Sequence, residues 1–561
     1  MRVSVQKTIN RARAVPIGSY LIVVALVAVT LTRLVLVSRQ GMTGYGGALE
    51  DDTLFVKLGF YIQHGLWLGP FDRLTFAKGP AYPMWIALVS ALGAPLLLAE
   101  QTLYTASCAL LAWVVRPVLR SWKAAAALYL VLLLSPVFFA DGIATRAIRE
   151  GIYVSLTLLV AASAIALWTR AGRSPRAWAG WAVALGVSAA AFWLTREEGV
   201  WFAPILLMPA STVALALGGK RRDWARAWRG LAPWGVAAGI GLLCVGAIAA
   251  NNSRIYGTFT TVDTSSGPFV NAYGALTRIV PDHWVADVPV TRDARQKAYG
   301  VSPSFAQLAP SLEGTIGVTW TKIGGGSDLR GGWFMWALRD AAEFNGHYAT
   351  ATEAETYFQR VADEINAACD AGRVPNLPRR ATLMPPWHGE YWAPFGSACW
   401  RSVRTLATWD GISPVASPSA IPTAVAGNFR AMTHESQVGY DPVPPLRPVT
   451  TKVLTADLAV YRWLMPIAMI VGLIGSALAI AQAASKGRSG RTIATVVLLA
   501  TLVASMAARV VVVSLIDATS FAAVAPNYLA PAYDLALAWA FISGAILVGD
   551  VRKRLSVRPR S

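Results

Sequence analysis

Three short segments of this chain bring carboxylates and cations together. Glu50-Asp51-Asp52 opens a stretch that ends near Lys78, while Asp141, Arg146, Arg149 and Glu150 crowd a second segment and Arg196-Glu197-Glu198 a third. A carboxylate can serve as a general base or a metal ligand, and arginine and lysine grip phosphate oxygens. The mixture suits transfer of a group from a phosphate-bearing donor. Local pairing is the competing explanation. Arg146 and Glu150 lie four residues apart, as a helical salt bridge requires, and Arg196 has glutamates beside it. The histidines (His64, His283, His347, His388 and His434) show no ligand spacing, and Gly324-Gly325-Gly326 lacks the helix that follows a phosphate loop.

All three segments flank long apolar stretches. The chain has 561 residues, 55% hydrophobic and 14% charged. Soluble domains carry about 25% charged residues, so a soluble globule and a disordered chain are excluded. Ten stretches are long enough to span or nearly span a bilayer: 17–37, 97–118, 124–140, 151–169, 178–195, 200–218, 232–251, 459–483, 492–516 and 528–549. The net charge of +19 is not a nucleic-acid signal, because the insert 252–457 is nearly neutral, with 17 Lys+Arg and 18 Asp+Glu. The excess lies in alternate loops and the tails. One set (the N-terminal tail, 116–123, 170–176, 219–229, 484–491 and the C-terminal tail) holds 23 Lys+Arg, and the opposite set holds 7. This bias places both termini in the cytoplasm, the insert outside and the three charged segments on the outer face of the cytoplasmic (plasma) membrane. Basic clusters such as Lys220-Arg221-Arg222 and Arg552-Lys553-Arg554 then set topology and meet anionic lipid. The first stretch reads as an uncleaved signal anchor.

The expected fold is an all-α polytopic membrane protein of about ten transmembrane helices with one extracytoplasmic domain, mixed α/β or irregular. It divides into a membrane module at 1–251, the outer domain at 252–457 and a C-terminal three-helix segment at 458–561. Residues 53–64 and 80–93 are too short to cross and read as two helices reclining on the membrane within the first outer loop, 38–96. In the insert, 256–270 reads as strand and turn. Residues 351–371 form an amphipathic helix with Tyr357, Val361, Ile365 and Ala368 on one face. The Trp/Tyr-rich run 387–400 suits the insert's own core, a carbohydrate platform or a protein interface. Cys369 and Cys399 lie on the oxidising side, where a disulfide or two free thiols fit equally. Inside the spans, Arg33, Arg509 and Asp534 stand out, and Arg509 and Asp534 are expected to pair at similar depth.

The run DDTLFVKLGFYIQHGLWLGPFDRLTFAKGPAYP resembles the first outer loop of the C-type glycosyltransferases (the GT-C fold), which include bacterial lipid A aminoarabinose transferases and protein O-mannosyltransferases. That family's pattern is an acidic pair, an aromatic residue three positions on, Gly-x-Trp, then Lys-Pro or Lys-Gly-Pro. Here these are Asp51-Asp52, Phe55, Gly65-Leu66-Trp67 and Lys78-Gly79-Pro80. The resemblance implies inverting transfer of a sugar from a polyprenyl-phosphate donor to a glycan, lipid or protein acceptor, with a seven-span module over 1–251. Its catalytic aspartate falls on Asp51, with Asp52 as the alternative, and its second-loop acid on Asp141 or Glu150. Lys78, Arg146, Arg149 and Arg196 would hold the donor phosphate, with Glu197 and Glu198 as supporting acids. A divalent cation is the one cofactor to consider, with Asp51 and Glu150 as its candidate ligands. Two other functions fit the composition: a transporter or flippase of a lipid-linked glycan, and a non-catalytic envelope assembly protein. The first would need charge continuing across the bilayer and repeat symmetry, neither of which is visible here.

Overall fold

The computed structural model describes residues 17–45, 49–218, 222–421, 423–444, 446–485 and 490–557. The basic N-terminal tail, Lys220-Arg221 and the side chains of Arg552-Lys553-Arg554 lie outside what it describes. Helices of nine residues or more are numbered in chain order. The first part of the chain gives α1 (Ile17–Val37), α2 (Asp52–Gln63), α3 (Ala81–Ala91), α4 (Leu96–Leu119), α5 (Trp122–Leu133), α6 (Glu150–Arg170), α7 (Pro175–Trp193), α8 (Leu207–Leu217) and α9 (Trp224–Tyr256). The insert adds α10 (Pro268–Leu276), α11 (Arg292–Val301), α12 (Thr315–Gly324), α13 (Gly331–Phe344), α14 (Ala351–Asp370), α15 (Trp392–Thr408) and α16 (Thr423–Thr433). The chain then closes with α17 (Arg447–Ser485), α18 (Gly490–Thr519) and α19 (Pro526–Val557).

Nine of the described helical segments are long and apolar enough to cross a membrane. The protein is thus an all-α polytopic membrane protein. The stretch not among the nine is α7, whose apolar character rests on alanine, glycine and tryptophan. It packs between α6 and α9. Gly186 permits the approach: a Cβ there would stand 2.6 Å from the carbonyl of Ala237. Small residues at such crossings let backbones meet where no hydrophobic drive separates helix from lipid. α6 is buried along nearly its whole length, so the charged residues at its start are carried on the bundle's inner axis.

The two short helices of the first loop form as α2 and α3. Eleven or twelve residues give roughly 17 Å of helix, well short of a bilayer core of about 30 Å. Leu54, Leu58, Leu74, Phe76 and Ala77 of the first loop share one apolar core with Phe269, Tyr273, Phe334 and Tyr357 of the insert. The segment after α15 returns to the same place. Met42 bridges Gln437, Thr43 bridges Arg146, and α16 packs on α2 and α3.

Several expectations are corrected. The insert is helical rather than mixed α/β, and among the described residues only isolated bridges occur. The region read as strand and turn is the end of α9, a loop and α10. Gly257, at φ +84°, stops α9, and Pro268 at the first helical position starts α10. α14 forms as read, capped by Thr350, with Tyr357, Val361, Ile365 and Ala368 buried. In the aromatic run Tyr391 is buried, but Trp392 and Trp400 are exposed, so most of that surface faces outward instead of filling the core. All four cysteines are free. The expected pair of Arg509 and Asp534 does not form. Asp534 accepts from the Tyr104 hydroxyl at 2.9 Å, whereas Arg509 turns to the Tyr528 carbonyl at 2.7 Å and to Glu198 at 3.6 Å. Arg33 donates to Gln101 at 2.6 Å and lies 5.4 Å from the Tyr104 ring, within the same buried polar island as Asp534.

Candidate active site

Asp51 precedes α2 and Asp52 is that helix's first residue. A carboxylate there meets unpaired N–H groups and the positive end of the helix dipole. Asp52 is fully buried, and Arg146 grips it with two nitrogens, Nε standing 3.2 Å from Oδ1 and Nη2 on Oδ2. Burial pushes the Asp52 carboxyl upward, and Arg146 opposes it. Asp51 is different: its side chain keeps 40% exposure, and its partner is Lys78. Desolvation works against its charge, but Lys78 first, then Arg149 and Arg146, bring it down to about 2. Phe55, one turn into α2, sits under both cations, 5.2 Å from the Lys78 ammonium and 5.9 Å from the Arg149 guanidinium.

Gly-x-Trp and Lys-Gly-Pro have structural roles in placing this loop. Gly65 and Trp67 both adopt left-handed backbone, at φ 75° and 53°, and the Trp67 indole donates to Asn252 at 2.7 Å, tying the turn to α9. Gly79 brings Lys78 against the third segment. Ala81 N donates to the Leu194 carbonyl at 3.2 Å, and a Cβ on Gly79 would lie 1.9 Å from that same oxygen. Gly79→Ala must therefore push Lys78 away from Arg149 and Glu197. The expected result is a lowered melting temperature. An unchanged melting curve would show that the two loops need not touch.

The remaining charges interlock across loops. Arg149 Nη1 reaches Glu197 at 2.8 and 3.0 Å. Arg196 pairs with Glu150 and, at 2.7 Å, with Glu198. The Arg196 guanidinium lies 5.2 Å from the Tyr528 ring and 5.7 Å from Tyr153. Glu198 is held well below the usual carboxylate range: burial opposes its charge, but Arg196, Arg509 and Arg149 outweigh it. Cations and carboxylates are equal in number in this network, and nearly all are sheltered from solvent. Ion pairs of this kind return little stability for their desolvation, which makes them a mark of function more than of folding.

Of the residues expected from sequence, Asp51, Asp52, Lys78, Arg146, Arg149, Glu150, Arg196, Glu197 and Glu198 gather in one cluster of four ion-paired groups that adjoin along the chain and through the Gly79 N–H on Glu197. Asp141 stands apart. It accepts from Thr145 at 2.9 Å and from Ser417, and its N–H donates to the Ser413 carbonyl at 2.7 Å, so it pins the returning segment. The local Arg146–Glu150 pair does not form, since each partner is drawn to a different loop, although Arg196 does bond its neighbour Glu198. Arg509 is the residue whose place here sequence reasoning missed. Its signal, a charge inside a span, was visible, but the reading assigned it to Asp534. Among the described residues no group of three or more His, Cys, Asp or Glu gathers to hold a metal, and Asp51 and Glu150 are each taken by a cation. The donor set does not suit a divalent ion as it stands.

No family model matches this chain, and neither does any curated protein. Two solved structures are similar to it. One is ArnT from Cupriavidus metallidurans in the apo state, 14% identical with a TM-score of 0.31, covering 94% of this chain and 77% of that one. The other is ArnT from the same organism bound to undecaprenyl phosphate, 15% identical with a TM-score of 0.30, covering 96% and 80%.

Proposed function

We propose that this protein is a membrane glycosyltransferase that moves a sugar from a polyprenyl-phosphate donor to an acceptor hydroxyl, with inversion, and that it works on the outer face of the cytoplasmic membrane. One observation carries the reading: a partly exposed carboxylate, Asp51, held below the usual carboxylate range by its cationic neighbours, sits beside Lys78 at the start of α2, among four further cations, Arg146, Arg149, Arg196 and Arg509. A phosphate head at that level leaves its polyprenyl chain in the apolar bundle surface. The first-loop resemblance supports the same donor, and the charge alternation of the loops supports the orientation.

The cluster is charge-balanced, so an arriving phosphate must exchange for a carboxylate. Lys78 is the natural exchanger, because lysine is a point charge on a flexible stem, whereas Arg146 is locked on Asp52 through two bonds. When Lys78 moves to the phosphate, Asp51 loses its main counter-charge and becomes more basic. The acceptor oxygen attacks the anomeric carbon and the bond from that carbon to the phosphate oxygen breaks. Polyprenyl phosphate leaves with the electron pair, and Asp51 takes the acceptor's proton. Arg149 and Arg196 oppose the charge that grows on the leaving phosphate. The transition state has oxocarbenium character, as in other glycosyl transfers.

Mass analysis of envelope glycans with and without the protein tests this reading. The expected result is loss of one sugar substituent and accumulation of its lipid-linked donor. An unchanged glycan profile with no accumulated donor would overturn it. Orientation is tested separately: a cysteine placed at Glu50 in a cysteine-free chain should react with a membrane-impermeant maleimide added outside intact cells. Labelling only after lysis would reverse the topology and end the proposal.

A further inference from the structure

A cavity of about 230 Å³ lies where the first loop meets the insert. Its walls are aromatic. Phe71 stacks on Tyr348 with ring centres 6.0 Å apart, Phe269 meets Phe358 edge-on at 5.0 Å, and Phe259, 71% exposed, adjoins them. Among these faces sit a few fixed polar groups. Asp263 is held through both oxygens by Arg339, at 2.9 and 3.0 Å, and Arg339 is itself wholly buried and anchored by Nε on the Arg73 carbonyl at 2.9 Å. The free lone pairs of Asp263 are thereby locked in position. Tyr348 is 5% exposed, and its buried hydroxyl has no hydrogen-bond partner. A buried polar group left without a partner is costly to a fold and asks for a ligand. Glu355 lines the cavity as well and makes no hydrogen bond or ion pair among the described residues.

The cavity borders the charged cluster. Asp263 N donates to the Phe76 carbonyl at 3.1 Å, and the Thr264 hydroxyl donates to Ala77 at 3.4 Å, immediately before Lys78. The Lys78 ammonium lies 5.9 Å from the Trp336 ring, one helical turn from Arg339 on α13.

We propose that this cavity is a saccharide subsite that receives a sugar ring of a glycan acceptor. A sugar offers a C–H face to aromatic rings and hydroxyls to fixed carboxylate and phenol oxygens. An organic cation would be the other guest of an aromatic box. Here that role is already filled, because the Arg339 guanidinium lies 4.9 Å from the Phe269 ring and 5.7 Å from Tyr348 while neutralising Asp263. The volume suits one ring, being smaller than the roughly 300–1,000 Å³ of sites for larger ligands. The acceptor role rests on the transferase reading; binding of a sugar does not.

Saturation-transfer NMR on the full chain in lipid nanodiscs, which avoids sugar-based detergents, tests it with methyl glycosides of neutral and N-acetylated hexoses as probes and tetramethylammonium as the rival. At least one glycoside should receive saturation on its ring protons. Tyr348→Phe and Glu355→Gln should each cut that signal at least fivefold, and Asp51→Asn should leave it intact. Absence of transfer to every glycoside, a signal indifferent to both cavity substitutions, or tetramethylammonium binding that no glycoside displaces would each overturn the subsite. Failure of the transferase reading looks different: the glycoside signal persists, while sugar transfer is absent or indifferent to Asp51→Asn and Asp52→Asn.

Discussion

Asp51→Asn should lower kcat for sugar transfer by roughly 10²–10⁴-fold, the usual contribution of a general base, while the protein stays folded. The substitution keeps the shape of a side chain that is 40% exposed and holds one ion pair, with Lys78. Asp52→Asn is the instructive contrast. Asp52 has no exposure and anchors Arg146 through two bonds. Removing its charge strands a sheltered guanidinium, a kind of loss that costs about 3–5 kcal/mol. The Asp52 variant should thus lose thermal stability together with activity, and the Asp51 variant activity alone. Transfer rates and melting curves of the two purified variants in nanodiscs decide the matter. A stable but inactive Asp52 variant beside an active Asp51 variant would move the base to Asp52. Normal transfer by both would remove the first loop from the chemistry.

How much of this was legible in the sequence depends on the range of the forces involved. The bundle was legible because apolar length and charge alternation are local and additive, and so were α2 and α3, which are simply too short to cross. α14 was legible from its 3.6-residue period. The insert's other helices were obscured by glycine and proline, which punctuate strands and short helices alike, as Gly257 and Pro268 do. The membership of the charged cluster was largely readable from residue types at the ends of spans, but its pairing was not. Arg146 seeks Asp52, 94 positions away, while Glu150 on the next turn, also buried, is taken by Arg196 from a third loop. Arg509 illustrates the same limit: depth along a span says how far in a charge lies, but the face on which it emerges is set by packing of the whole bundle.

Lys78→Met should cost roughly 10²–10³-fold in kcat/KM, the scale for deleting one electrostatic contact to a reacting group, and it should also change the shape of the pH profile. In the free protein Asp51 titrates at about 2, below its ordinary value of about 3.9, since Lys78, Arg149 and Arg146 outweigh desolvation. A depressed carboxylate contributes stability above its unfolded pKa and loses it as pH falls through the folded one. Asp51 therefore stays ionised in the free protein between pH 4 and 8, and an acid limb of kcat/KM in that range owes nothing to it. In the donor complex Lys78 has moved to the phosphate, so Asp51 rises toward or above the ordinary range, and kcat gains an acid limb near pH 4 or higher. Without Lys78 the free-protein limb should climb as well, so that the profiles of kcat and kcat/KM converge in the variant. Initial rates between pH 4 and 8, with fold monitored at each pH, measure both limbs. Coincident limbs in the unaltered protein would mean that Lys78 never leaves Asp51, and the exchange of partners on which this mechanism depends would not take place.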